Sequence, residues 1–317
     1  MKRKLISIIS SCFNEENNLW ELYNRTTAIM NKFPQYDFEH ILADNGSTDN
    51  TYEILRNIAE KDKRYKIIVN TRNFGPDRSM HNVGISAKGD CIIALASDLQ
   101  EPPELLEEFI KKWEKGYKIV IGVKHKSKEN CIKYMIRTLG YFIMKKLTSI
   151  DLIPHYTGFG LCDRVVHDML VKQEWPVPFT RGMISEIGFE RAEIQFIQPK
   201  RKYGKSSYSL FKLYDAGMSG VTSYSKTPLR IASFIGVLMA ICSMIAGMIY
   251  LVIKLLYWDS IPVGIAPMMI GIFFLLAIQF IFIGLLGEYI LSISQAVYKR
   301  PLVVEKERIG FDDSYKE

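Results

Sequence analysis

Paired cysteines are missing from this sequence. The five present, Cys12, Cys91, Cys131, Cys162 and Cys242, are odd in number and form no C-x-x-C spacing, which argues against a disulfide framework or a zinc site. They read as small core residues. A secretory leader is also missing: Met1-Lys2-Arg3-Lys4 runs straight into a strand-like segment at 5–10 that is too short, and lacks the small-residue cleavage pattern. The large domain is therefore expected in the cytoplasm. Charge is missing from two long stretches, 231–253 and 260–287, each longer than the roughly 20 residues that cross a bilayer. They predict two transmembrane helices forming a hairpin. The same lack of a run of buried charged residues argues against a channel or transporter, which needs a path for its substrate.

What is in excess is positive charge, with a formal net value of +7. Nucleic acid is not the expected partner, because the basic residues are scattered through helices and gathered near the membrane-proximal segment instead of forming one aromatic-interleaved patch. Attraction to anionic headgroups and phosphate ligands is the more economical reading. Lys226 and Arg230 precede the first apolar stretch and Lys299, Arg300 and Lys306 follow the second, while the connection carries only Lys254 and Asp259. This asymmetry sets both ends of the hairpin in the cytoplasm, at the inner (plasma) membrane. Just upstream, Leu210, Tyr214, Met218 and Val221 recur at helical spacing and predict an interfacial helix. Gln279, polar inside the second stretch, leaves a homo-oligomer through the spans open.

Ahead of the spans, short β-rich runs at 5–10, 38–43, 66–70, 91–96 and 118–123 alternate with helical periodicity. Leu19, Leu22, Tyr23, Ile29 and Met30 form one apolar face; Leu105, Leu106, Phe109, Ile110 and Trp113 form another. Such alternation predicts an α/β fold with a parallel sheet covered on both faces and ligands at the carboxyl ends of its strands. Three of those ends are polar: S-C-F-N-E-E-N from Ser11, D-N-G-S-T-D-N-T from Asp44, and S-D-L-Q-E-P-P-E from Ser97. Each closes a strand and opens a helix, where amide and acidic side chains can read a nucleoside and helix N-termini favour a diphosphate. Asp49 or Ser47 as an N-cap, and Pro102-Pro103 as a helix start, are the ordinary readings of the same residues.

In their order and spacing these motifs resemble family 2 of the inverting glycosyltransferases, specifically the polyprenyl-phosphate branch that includes dolichol-phosphate mannose synthases and GtrB-like enzymes. The resemblance also takes in Asn73-Phe74-Gly75, the segment from Gly84 to Asp90, Arg181-Gly182, R-K-Y-G-K-S-S-Y from Arg201, Gly287-Glu288-Tyr289 and Lys299-Arg300-Pro301-Leu302. It implies a type A glycosyltransferase domain, Rossmann-like with a mostly parallel sheet, at 1–200. A juxtamembrane segment at 201–228, two transmembrane helices within 229–292 and a cytoplasmic tail at 293–317 follow. It implies nucleotide-sugar contacts from Asn14, Glu15, Asp44, Asn45 and Ser47, and phosphate contacts from Lys124, Arg137, Arg201, Lys205 and Ser206. Asp98 and Gln100 become the catalytic pair, holding a weakly bound Mg²⁺ or Mn²⁺, with Glu101 assisting.

Three departures accompany the resemblance. Ala96 stands where the D-x-D motif has its first carboxylate, Asn45 where the turn commonly has a second Asp, and Thr157-Gly158-Phe159-Gly160 replaces T-G-D-F. A lipid phosphate acceptor makes these losses tolerable, since a phosphate monoester with a second pKa of about 6 is already ionised near neutral pH and needs no general base. The reaction expected is transfer of a sugar to polyprenyl phosphate, such as undecaprenyl phosphate. Transfer to a hydroxyl of a lipid-linked glycan, and a non-catalytic nucleotide-sugar-binding role, are the alternatives.

Overall fold

Strand β1 (Leu5–Cys12) is buried at almost every position, as a strand covered on both faces must be. The computed structural model describes residues 3–126, 153, 156–172, 180–199, 202, 225, 227–256, 265–297 and 301–311. Arg137, Arg201, Lys205, Ser206 and the interfacial helix expected around 210–221 lie outside the described residues. Around β1 run β2 (Asp37–Asp44), β3 (Tyr65–Asn70) and β4 (Cys91–Ala94), parallel to one another in the order β4-β1-β2-β3. Helices α1 (Leu19–Lys32), α2 (Thr51–Lys61) and α3 (Pro76–Ser86) make the crossovers, and α4 (Leu105–Glu114) follows β4. Helix α1 buries Leu19, Leu22, Tyr23, Ile29 and Met30, and α4 buries Leu106, Phe109, Ile110 and Trp113, the faces that the spacing predicts.

All five expected strands are present, but the parallel pairing of successive strands stops after β4. Strand β5 (Ile119–Lys126) does not pair with β4, because β6 (Tyr156–Asp163) inserts between them, antiparallel to both. After helices α5 (Arg164–Lys172) and α6 (Thr180–Ile187), β7 (Arg191–Ile197) adds parallel to β5. The outermost strand on the far side is β8 (Glu305–Ile309), antiparallel to β3. The full order is β7-β5-β6-β4-β1-β2-β3-β8, with four parallel ladders and three antiparallel.

Glycine lets β6 in. Gly158 sits at φ +104, and a Cβ on Gly160 would meet the Val120 carbonyl oxygen at 2.5 Å, so β5 and β6 approach this closely only without side chains there. Between these glycines the Phe159 ring enters the core, 4.7 Å from the Phe109 ring and 5.7 Å from that of Phe196. A ring so enclosed contributes roughly 3–5 kcal/mol relative to alanine. Cys12, Cys91 and Cys162 are packed in this unit, and burial pushes their thiols well up, which keeps them protonated and inert.

The chain divides into two compact units, the sheet with its helices and a second made largely of two long helices. In the second, α7 (Thr227–Leu256) and α8 (Ile265–Val297) run antiparallel. The Tyr289 hydroxyl, late in α8, donates to the Ser225 carbonyl just before α7 at 2.7 Å, and Phe282 lies 4.0 Å from where a Cβ on Gly236 would stand. Many of the described apolar side chains face outward, with Phe234 71%, Leu256 72% and Phe280 68% exposed. Cys242 is exposed on α7, unlike the other described cysteines, so it is not a core residue of this unit. Among the described residues one window, the 18 residues Phe274–Leu291, is long and apolar enough to cross a membrane; α7 contributes the shorter apolar stretch Thr227–Met239.

Candidate active site

The loops after β1 and β2 interlock. Asn14 adopts φ +55, a left-handed conformation that asparagine tolerates better than most residues. Its Oδ1 accepts from the Thr48 amide at 2.8 Å, while its own amide donates to Ser47 Oγ at 3.0 Å. The Glu15 amide donates to Thr51 Oγ1 at 2.9 Å, and Glu15 Oε2 accepts from Asn18 Nδ2 at 2.6 Å, so this buried carboxylate is engaged within the protein. Asp44, buried at the end of β2, accepts the Ser47 amide at 3.0 Å and closes the turn over Gly46. Only glycine serves there: its φ is +73, and a Cβ would stand 2.7 Å from the Arg72 backbone. Asp49 Oδ1 accepts the Thr51 amide at 3.0 Å from one residue ahead of Asn50, which occupies the N-cap position of α2 and makes no side-chain cap bond.

Asn45 is the centre of this wall. Its Nδ2 donates to Asn73 Oδ1 at 3.1 Å and to the Gly75 carbonyl at 3.2 Å. Its Oδ1 accepts from Asn70 Nδ2 and from the Phe74 amide, each at 3.1 Å. An amide can donate and accept at once, and a carboxylate cannot donate. The residue that departs from the common Asp thus has a local reason: it holds the loop after β3. On that loop the Arg72 guanidinium stacks 4.0 Å from the centre of the Phe74 ring.

The third strand end continues from β4 into residues 96–101, where exposure alternates. Ala96, Asp98 and Gln100 are half-buried, while Ser97, Leu99 and Glu101 are buried. Ser97 Oγ donates to the Ser11 carbonyl at 2.9 Å, tying this loop to the first strand end. Asp98 Oδ1 accepts the Gln100 amide at 3.1 Å across Leu99, whose φ of +58 is costly for leucine, on the order of 1–2 kcal/mol. Burial pushes the Glu101 carboxyl up to about 6, against the lowering effect of hydrogen bonds from Thr157 and the Ala96 amide and of the Lys124 charge. Lys124, half-buried at the end of β5, therefore belongs to the same locality.

The structure thus gathers Asn14, Glu15, Asp44, Asn45 and Ser47 at the ends of β1 and β2, and Asp98, Gln100 and Lys124 at the ends of β4 and β5. Among the described residues no group of three His, Cys, Asp or Glu side chains forms a closed metal site. The Asp98 carboxylate and Gln100 amide oxygen, two hard donors two residues apart in one turn, suit a Mg²⁺ or Mn²⁺ ion that takes its other ligands from phosphate and water. Sequence reasoning left Glu101 as a helper and gave Asn70 and Asn73 no role. The cluster of asparagines around a glycine turn was the signal available for the latter pair.

A sheet with polar loops at the carboxyl ends of β1, β2 and β4, and an antiparallel strand set beside β4, is the type A glycosyltransferase fold. The profile of "Glycosyl transferase family 2" matches residues 7–170, more than half of the chain, and the chain belongs to that family. It is a glycosyltransferase. It is 33% identical over 314 residues to the uncharacterized glycosyltransferase YkcC of Bacillus subtilis, covering 97% of this chain and 95% of that one. It is 29% identical over 304 residues to the SfII prophage-derived bactoprenol glucosyl transferase of Shigella flexneri, covering 95% and 97%. Among solved structures it is similar to glucosyl-3-phosphoglycerate synthase from Mycobacterium tuberculosis in complex with Mn²⁺, uridine diphosphate and phosphoglyceric acid. The TM-score is 0.50 at 13% identity, over 69% of this chain and 76% of that one, a likeness of fold.

Proposed function

We propose that this chain is a membrane-bound inverting transferase that moves a sugar from a nucleotide-sugar donor to a polyprenyl phosphate such as undecaprenyl phosphate. The observation that carries this reading is Phe159. Its side chain is 1% exposed between two aromatic rings, so the position from which a base would activate a hydroxyl acceptor faces the core. An acceptor that arrives already ionised fits such a site, and a phosphate monoester does so near neutral pH.

In this reading Asp44 and Ser47 face the nucleoside, while Glu15 and Asn45 shape the cleft. A divalent ion at Asp98 and Gln100, when bound, neutralises charge on the diphosphate. Lys124 and the basic residues at 137, 201 and 205 steer the acceptor phosphate. A phosphate oxygen attacks the anomeric carbon, the bond from that carbon to the diphosphate breaks, and the nucleoside diphosphate leaves with the electron pair, inverting the sugar. Positioning and charge stabilisation supply most of the rate. A relative named bactoprenol glucosyl transferase, matched over almost its whole length, supports a polyprenyl acceptor, and the fold neighbour's Mn²⁺ and uridine diphosphate support a metal-assisted nucleotide donor.

The chain path supports a paired crossing. β7 precedes the two long helices, β8 follows them, and both hydrogen-bond into one sheet. A sheet lies on one side of a bilayer, so any crossing by α8 requires a return by another segment. α7, 30 residues or about 45 Å long, has the length for it.

A second reading has one observation in its favour. Glu101 is a buried carboxyl raised to about 6, the property of a general base for a hydroxyl acceptor. Detergent-purified protein incubated with Mg²⁺, a panel of nucleotide sugars and either short-chain polyprenyl phosphate or a lipid-linked glycan separates the two. Release of nucleoside diphosphate is expected to require the lipid phosphate and to fall about 100-fold or more in Asp98→Asn. Release that needs a glycan hydroxyl and ignores the lipid phosphate would overturn the first reading.

A further inference from the structure

Glu101 is 7% exposed, and its two carboxylate oxygens serve two different elements. Oε2 accepts the Ala96 amide at 2.9 Å, which closes the 96–101 turn on itself. Oε1 accepts the Thr157 hydroxyl at 2.8 Å, which fastens the turn to β6. Between these anchors Asp98 and Gln100 are carried on a backbone bent through Leu99 at φ +58, a conformation that persists only where the surroundings hold it. Ser97, bonded to the Ser11 carbonyl, holds the same turn from the β1 side. A carboxylate suits the place because both of its partners are donors.

Both bonds fall beside positions where this chain departs from the family pattern, without involving the departing side chains. Ala96, which lacks the first D-x-D carboxylate, gives Glu101 its amide. Thr157, two residues before Phe159, gives Glu101 its hydroxyl. We propose that Glu101 is a positioning residue for the transfer, a brace that fixes the Asp98–Gln100 turn against β6. The inference rests on the reading of Asp98 and Gln100 as the pair that faces the donor diphosphate.

Three variants of the full chain test it: Glu101→Gln, Glu101→Ala and Thr157→Val. Glutamine preserves both contacts, its carbonyl accepting from Ala96 and its amide donating to Thr157; alanine removes both; Thr157→Val removes one and is the milder variant should Glu101→Ala not fold. Two readouts are taken, hydrogen–deuterium exchange over 95–102 and the kinetics of transfer to polyprenyl phosphate. In Glu101→Ala, exchange is expected to quicken about 10-fold or more. Its kcat is expected to fall about 100-fold, as misplacement of a reacting group by an ångström does, with KM for the lipid little changed. Glu101→Gln is expected within about 3-fold of the parent on both readouts, and Thr157→Val between the two.

Unchanged exchange in Glu101→Ala overturns the brace. So does a Glu101→Gln variant as inactive as Glu101→Ala, which would make the carboxylate's charge the essential property. If the parent transfers nothing to polyprenyl phosphate, the acceptor reading falls, while exchange still decides the brace.

Discussion

Asn45 shows how a substitution that reads as a loss can be a local requirement. Its four hydrogen bonds, two donated and two accepted, hold Asn70, Asn73, Phe74 and Gly75 in place at a site only 2% exposed. Asn45→Asp would delete both donations and bury an uncompensated charge, so a loss of about 3–5 kcal/mol is expected in thermal unfolding. A titration with nucleoside diphosphate should show weakened binding, because the displaced loop borders Gly46 and Asp44. Undiminished stability in this variant would mean that the hub is not built as described. The sequence made Asn14, Asp44, Ser47, Asp98 and Gln100 legible, since polar residues at strand ends have no packing reason to be there. It did not reveal what Asn45 does, because its partners lie 25 to 30 residues away and are brought near only by the pairing of β2 with β3. Glu101 was legible only as a helper of the Asp98–Gln100 pair; its bond to Thr157 joins residues 56 positions apart, through a strand that local sequence does not announce.

Elements were legible in proportion to how fully they are buried. Strands β1 to β5 and the apolar faces of α1 and α4 announce themselves by continuous or periodic apolar character. Strand β6 does not, since Gly158 and Gly160 dilute its signal, and its place between β4 and β5 depends on that dilution. Strand β8 carries E-K-E-R-I, the charged pattern of an edge, and looks like tail. It is nonetheless fastened. The Val304 carbonyl accepts from the Thr71 amide at 2.9 Å and from Thr71 Oγ1 at 3.2 Å, Asn82 Nδ2 donates to Glu305 at 2.6 Å, and Tyr52 donates to Glu307 at 2.9 Å. Val303, two residues ahead of it, is buried. Deleting residues 301–317 is expected to remove roughly 2–3 kcal/mol and lower the melting temperature by about 5–10 °C. Weaker donor binding should accompany this, because Thr71 leads into the loop that Asn45 holds. A melting curve superimposable on that of the full chain would show that β8 adds nothing.

For the whole molecule, the return of the chain to its own sheet sets a condition on how it meets a membrane. Tags on both ends should be digested from the same side of inverted membrane vesicles, and a cysteine placed at 261, between α7 and α8, should react with impermeant maleimide only from the other. One protected terminus would break the paired crossing. The apolar stretches made the two long helices legible at once, but nothing in local sequence said that the segment beyond them completes the catalytic sheet. Synthesis gives that arrangement a temporal meaning. Strands β1 to β7 leave the ribosome first, the long helices next and β8 after them, so the outer edge of β3 stays unpaired until both long helices have been made. A chain cut short within α8 would carry a raw sheet edge that invites pairing with other copies. The last strand is therefore a completion mark: the edge is sealed only on molecules whose long helices have already been made.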